Sequence, residues 1–448
     1  MRRDPAGWAF GRLRSGVVLA LAGVLLLAAC DDEVRLPGPR TGLRGEPLAP
    51  PQQAATTAGL ARAALPPAAA STDWTERARR PDRQSGHTAL SAAPALLWSA
   101  DIGRGADRRH RITADPVVQG GLVYTMDARG LVAATTTRGQ PVWRVSVAPP
   151  REDPGDASGG GLAVSGGRLF VTTGYGDLIA LNARTGGRLW TQDLKAAASA
   201  PPAVLGGRVY AASADATGWA VDAGTGKVLW TVRGVEEPAG ILGAGAPAAG
   251  EGLAVFAFAS GEIFAADAGS GAPRWRGFVA GRRTGPAVAA YPDIAGDPVI
   301  ANGSVYAASQ AGRMAAFGTG DGAVRWSAGT GAMSPPAVAG NSVFAVSDRN
   351  EVVRLDRASG RTVWSVPLPL FVKSSPRRRT ELYTHFGPIL SSGRLLVLSS
   401  DRALRAFDPS TGQLLSQQPL PGRAATNPAV ANGVLYVVTE DGRLHAFR

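Results

Sequence analysis

The sequence predicts an all-β chain closed into an eight-bladed β-propeller of four-stranded blades. Three observations carry that prediction. After the first thirty residues, helix-length apolar periodicity is nearly absent, and short β-branched and aromatic runs bounded by Gly, Asn, Asp and Pro replace it. A two-part unit recurs along the chain with a constant core and elastic spacing. The incomplete units at the two ends complement one another. A length of 448 residues would ordinarily suggest two or three domains, but closed β architectures run large as one unit.

The first segment is an address. Residues 1–29 begin with Arg2, Arg3, Arg12 and Arg14 and continue into an apolar run from Gly16 to Ala29. That run is too short and too near the terminus for an ordinary membrane span, and it ends in small residues as a secretory signal does. Leu27-Ala28-Ala29-Cys30 resembles the bacterial lipobox, which implies acylation of Cys30 as the first residue of the mature chain. Cys30 is the single cysteine, so no intrachain disulfide can form. Several acyl chains anchor stably where one is marginal. In the enteric form of this signal an Asp after the cysteine favours inner-membrane retention, so Asp31 keeps that membrane open beside the outer one.

Residues 30–93 are expected to be a lipidated N-terminus and a disordered tether. The stretch is dense in Pro, Ala, Gly, Thr and Arg and has too little apolar surface to offset its ordering entropy. About 60 flexible residues would give a reach of roughly 40–45 Å.

Residues 94–448 carry the repeat. Its closing half is a turn followed four residues later by tryptophan: Gly139 to Trp143, Gly186 to Trp190, Gly226 to Trp230, Gly271 to Trp275, Gly322 to Trp326 and Gly360 to Trp364. A seventh copy runs from Gly412 to Ser416 and lacks the indole. "GDLIALNARTGGRLW" at 176–190 shows the chemistry. Two apolar faces suit a strand packed between neighbours, Asn182 can cap its own backbone, and Gly186 can take positive φ. The Trp residues are expected to be structural, each covering a neighbouring blade.

The opening half is a short strand, usually headed by proline, at Pro116, Pro202, Pro247, Pro298, Pro336, Pro388 and Pro428, with "GLAV" at 161–164 as the eighth. Proline is tolerated there because a strand's first residue need not donate to the ladder. Eight openings face seven closings. The missing closing strand is "PALLWSADIG" at 94–103, with Trp98 in the tryptophan position, and the last unit, 427–448, lacks a fourth strand. One fills the other and shuts the ring.

The formal net charge is +12, but only Lys195, Lys227 and Lys373 are lysines, and the arginines are scattered through turns. This distribution argues against a nucleic-acid partner. His87, His110, His385 and His445 show no metal-ligand spacing, and neither a metal nor a small-molecule substrate is expected.

The Gly, apolar strand, Asn or Asp, Thr-Gly turn and Trp of the repeat resemble the quinoprotein-type propeller over about residues 94–448. That family holds quinone-dependent dehydrogenases and BamB-type outer-membrane assembly lipoproteins, and the fold does not choose between them. The dehydrogenase branch implies a vicinal cysteine pair and a converging set of oxygen ligands for calcium. This chain has one cysteine, and its candidate acids Asp115, Asp156, Asp297 and Asp348 form no recognisable set in the sequence.

The lipoprotein branch implies a non-enzymatic scaffold without a cofactor, held at the outer membrane and facing the periplasm. It binds the POTRA domains of BamA beside other assembly-machinery subunits. The loops it uses correspond here to 232–245 and 276–295, with Ile241 and Leu242 at apolar contact positions and Asp293 at an acidic one. The basic residue of the first loop is absent, and Ala295 replaces a second acid.

Two blade-to-blade connections are long, from Trp275 to Pro298 and from Trp364 to Pro388. They carry Arg282, Arg283, Lys373 and the run Arg377-Arg378-Arg379, which suggests a basic patch meeting an acidic partner. A periplasmic quinone-dependent dehydrogenase and a cell-envelope binding propeller for another partner remain the alternatives.

Overall fold

The computed structural model describes residues 61–153, 155–237, 245–279, 294, 296–373, 375 and 381–448. Their 32 strands form eight four-stranded antiparallel sheets. Blade two is typical: Gly160–Ser165, Arg168–Thr173, Asp177–Asn182 and Arg188–Asp193 pair in sequence order from the axis outward. The first strands of neighbouring blades lie side by side and ring the axis.

Blade eight joins the two ends of the propeller. Ala429–Ala431, Val434–Thr439 and Arg443–Phe447 supply three strands, and Leu96–Asp101 supplies the fourth. Trp98 stands opposite Ala446 and Asp101 opposite Arg443. Beyond the strand, Ala95 and Arg448 exchange backbone hydrogen bonds of 2.8 and 2.9 Å. This is the predicted closure.

The apolar core is a ring of interfaces rather than one central mass. The cluster around Leu162, Val171, Ile179 and Tyr124 lies between blades one and two, and that around Phe256, Phe264 and Tyr210 between blades three and four. Second and third strands are buried on both faces, as Leu169, Phe170, Val171, Leu178, Ile179 and Ala180 show in blade two. Fourth strands stand at the rim with alternating exposure.

The Trp residues bind blade to blade, as expected. Asn182 Oδ1 accepts from the amides of Arg184 and Thr185 at 2.9 and 3.1 Å, and this places Gly186 at φ +74°. The Trp143 ring of the preceding blade lies directly against that glycine, and its Nε1 donates to Ala183 O at 3.0 Å. The arrangement recurs from Trp98 against Gly139 to Trp364 against Gly412. Ser416 is explained by the same geometry. The Trp there would reach for a turn between the third and fourth strands of blade eight, and that blade has none because its fourth strand comes from the other end of the chain.

One expectation is corrected. Residues 61–93, expected within a disordered tether, are built into the propeller. Trp74 is 1% exposed and Arg83 1% exposed. The low apolar content of the segment misleads because it needs no core of its own; it occupies a channel that the blades already wall, and it satisfies its backbone on their edges.

Candidate functional site

The turns joining first to second and third to fourth strands emerge on one face of the ring. The turns joining second to third strands and the blade-to-blade connections emerge on the other, the loop face. Ile241, Leu242, Arg282, Arg283, Asp293, Arg377, Arg378 and Arg379 belong to loop-face connections but lie outside the described residues, as does Cys30.

The stems of these connections are described, and two of them are fastened together. Gly245 N, where the first loop ends, donates to Ile294 O near the end of the second at 2.9 Å, and Ala246 N donates to Asp297 Oδ1 at 2.8 Å. At the loop starts, the buried Glu262 serves both. Its Oε2 accepts from Val235 N at 2.7 Å and its Oε1 pairs with Arg276 Nη1 at 2.9 Å. Arg276 also donates to Arg233 O at 3.2 Å. Around this anchor Val235 is 49% and Phe278 52% exposed. Sequence spacing did not single out Glu262, Val235 or Phe278. The signal available was an acid in a turn otherwise made of Ser and Gly, "ASGEIF".

The stem of the connection from Trp364 to Pro388 is a short antiparallel pairing. Val372 N donates to Glu381 O at 3.0 Å and Tyr383 N to Leu370 O at 2.9 Å, while Asn350 Nδ2 holds Tyr383 O at 2.8 Å. Leu370 and Leu382 are exposed on it. The loop face therefore carries hydrogen-bonded, apolar-tipped stems.

The second feature is the axial channel. Asp115 of blade one and Asp297 of blade five face each other across the ring, and Arg77 of the inserted segment bridges them. Its Nε lies 2.6 Å from Asp115 Oδ2 and its Nη1 3.5 Å from Asp297 Oδ1. Burial works against the Arg77 charge, but the two aspartates outweigh it and hold the guanidinium above its ordinary value. Burial raises Asp115 in turn, against the pull of Arg77.

Arg83 is held by carbonyls, with Nε and Nη2 donating to Pro247 O at 3.0 and 2.8 Å and Nη2 also to Pro202 O at 3.2 Å. Glu76 Oε1 accepts from Val204 N at 2.8 Å, while its Oε2 lies 3.4 Å from Arg83 Nη1 without a hydrogen bond. Burial pushes the Glu76 carboxyl up to about 7.

Two of the four candidate acids thus do converge, although the four form no recognisable set in the sequence. Their partner is an arginine of the same chain, more than 30 residues from one and 200 from the other. Asp156 stays at the surface, bonding Asp153 N, and Asp348 accepts from Gly331 N.

The chain is similar to a family model described as outer membrane protein assembly factor BamB over residues 128–366 and 375–448. It is 32% identical over 359 residues to the outer membrane protein assembly factor BamB of Shigella dysenteriae, covering 79% of this chain and 88% of that one. Among solved structures, BamB from Moraxella catarrhalis superposes with a TM-score of 0.62 at 22% identity, covering 80% of this chain and 98% of that one. A quinohemoprotein alcohol dehydrogenase from Comamonas testosteroni gives a TM-score of 0.65 at 15% identity, covering 85% and 81%. At these identities both structures speak to the fold alone, and an enzyme and an assembly factor share it.

Proposed function

The chain belongs to the BamB family of outer membrane protein assembly factors, and from that premise we propose that it is a lipid-anchored scaffold that docks the POTRA domains of BamA on its loop face. The observation that carries the docking surface is the joined pair of loop stems. Glu262 and the Gly245–Ile294 bond make one platform of two connections, with Val235 and Phe278 exposed at its edge. Burying an aromatic and an aliphatic side chain at such a place contributes about 1.5–3 kcal/mol each. Apolar anchors ringed by polar and charged loops are what binding hot spots use. Arg282, Arg283 and the run Arg377-Arg378-Arg379 add positive charge to the same face, suited to an acidic partner surface.

The anchor is Cys30 and the place of work the periplasmic side of the outer membrane. Asp31 is the residue that would redirect the chain to the inner membrane. The dehydrogenase alternative has lost two of its candidate acids, since Asp115 and Asp297 are committed to Arg77.

A photocrosslinking residue in place of Phe278, in the full chain in its native membrane, is expected to capture BamA. The same probe at Val142, on the rim of blade one, is expected not to. Capture from both positions or from neither refutes the docking surface. Incorporation of a palmitate analogue, abolished by Cys30→Ser, tests the anchor; incorporation that persists in the variant refutes it.

A further inference from the structure

Every blade contributes a bond to residues 61–92. Trp74 and Val118 of blade one exchange backbone bonds of 2.8 and 2.7 Å. Val164 N of blade two donates to Thr75 O, Val204 N of blade three to Glu76 Oε1, Ala249 N of blade four to Pro81 O and Ile300 N of blade five to Asp82 O. Blade six holds Ala64 through Asn341 Oδ1, blade seven pairs Leu390 with Thr88, and blade eight donates from Asn432 N to Ser71 O.

The segment enters on the turn face, dips to Arg77 and Arg83 near the starts of the first strands, and returns to the turn face at Thr88. Those first strands are sheet edges, so each offers unpaired backbone groups to the axis. The segment crosses these edges rather than running along one: Trp74, Thr75 and Glu76 bond blades one, two and three in succession, and turns close from Glu76 to Arg79 and from Arg80 to Arg83. Single backbone bonds therefore hold it, and side-chain chemistry supplies selectivity.

The blades also supply complementary charge. With the segment in place Asp115 and Asp297 are 3% and 0% exposed, and Arg77 supplies the cation between them. The occupant nevertheless fits imperfectly. Ala78, Arg79 and Arg83 hold left-handed backbone at φ +55°, +79° and +62°. Trp74 Nε1, Glu76 Oε2 and Asp297 Oδ2 lack hydrogen-bond partners among the described residues.

We propose that the axial channel is a peptide-binding site, filled in cis by residues 69–90, that takes an arginine-bearing polypeptide segment folded into turns once this plug is displaced. The guanidinium lies between Asp115 and Asp297, and the backbone takes single bonds from the edges of several first strands. The cis segment therefore competes with any segment offered in trans. This site lies on the axis and meets the loop stems at Asp297, which also accepts from Ala246 N, while its test reads peptide exchange and not BamA docking.

A protease site inserted in the exposed Ser91–Ala93 stretch of the full chain tests it. After cleavage, a fluorescent synthetic peptide of residues 69–90 is expected to exchange into the channel saturably. Before cleavage it is expected to compete poorly. The peptide with R77Q and R83Q is expected to bind about ten- to hundredfold more weakly, the loss for buried hydrogen bonds from charged donors. No exchange after cleavage, equal binding of the two peptides, or unfolding of the cleaved ring would each overturn the proposal.

Hydrogen exchange on the uncut wild-type chain is the second measurement. The amides of Val164, Ala249 and Ile300, which face the plug, are expected to exchange faster than those of Val171 and Ala211 inside the blades. Equal protection would show a permanent structural element instead.

Discussion

Replacing Gly226 with alanine tests the tryptophan lock against a control in the same blade. Gly226 sits at φ +76°, and a Cβ there would meet Trp190 Cδ2 at 2.7 Å, Cε3 at 2.8 Å and Cγ at 3.0 Å. Gly207 sits at φ +74° with nothing near its Cβ position. Both substitutions therefore pay the same backbone cost, about 1 kcal/mol. Only Gly226→Ala must also move an indole, an overpacking cost of about 1–3 kcal/mol. Moving the ring weakens the 3.2 Å bond from Trp190 Nε1 to Ala223 O, about another 1 kcal/mol. The expected losses are about 1 kcal/mol for Gly207→Ala and about 3–5 kcal/mol for Gly226→Ala, read from urea titrations followed by circular dichroism. With Trp190→Leu in the background, the excess cost of Gly226→Ala is expected to shrink, since the clash partner is smaller. Equal losses at the two glycines, or an excess unchanged by Trp190→Leu, would refute the account of the lock.

Two further outcomes follow from the same geometry and from the channel. Glu76 has its carboxyl raised from 4.5 to about 7 by burial, so between those values the folded chain keeps a proton that the unfolded chain has lost. Its contribution is full below pH 4.5 and is lost as pH rises to about 7, by about 3 kcal/mol in all. The stability difference between wild type and Glu76→Gln, measured by denaturation from pH 4.5 to 8, is expected to follow that curve; a flat difference refutes it. Ser416→Trp, which restores the repeat's consensus, is expected to change stability by no more than about 0.5 kcal/mol, because blade eight offers no turn glycine to receive the ring. A thermal-melt gain comparable to the loss from truncating Trp190 would contradict that.

Blade number, strand number and closure were legible because their signals are local and repeated. A Gly four residues before a Trp, an Asn or Asp that caps its own turn, and a proline that opens a strand each report backbone geometry within a few residues. Six Gly-to-Trp turns and seven proline openings make the pattern unmistakable. The unequal ends, with Trp98 at one and three lone strands at the other, reported closure for the same reason: each piece carried half of a known local unit. The partner surface was legible only as loop length. Which stems are tied together depends on Glu262, Val235 and Ile294, which meet across blades.

What the sequence alone determined, then, is the ring: turns and strands whose geometry is set by neighbours in the chain. What only the tertiary structure decided is what fills the ring. Arg77 finds Asp115 and Asp297 because blades one and five stand opposite each other, a relation with no characteristic spacing in the chain. Residues 61–92 look unfoldable by composition because they bury little apolar surface of their own. They are ordered by backbone bonds to strand edges and by two buried acids, and neither exists until the eight blades have closed.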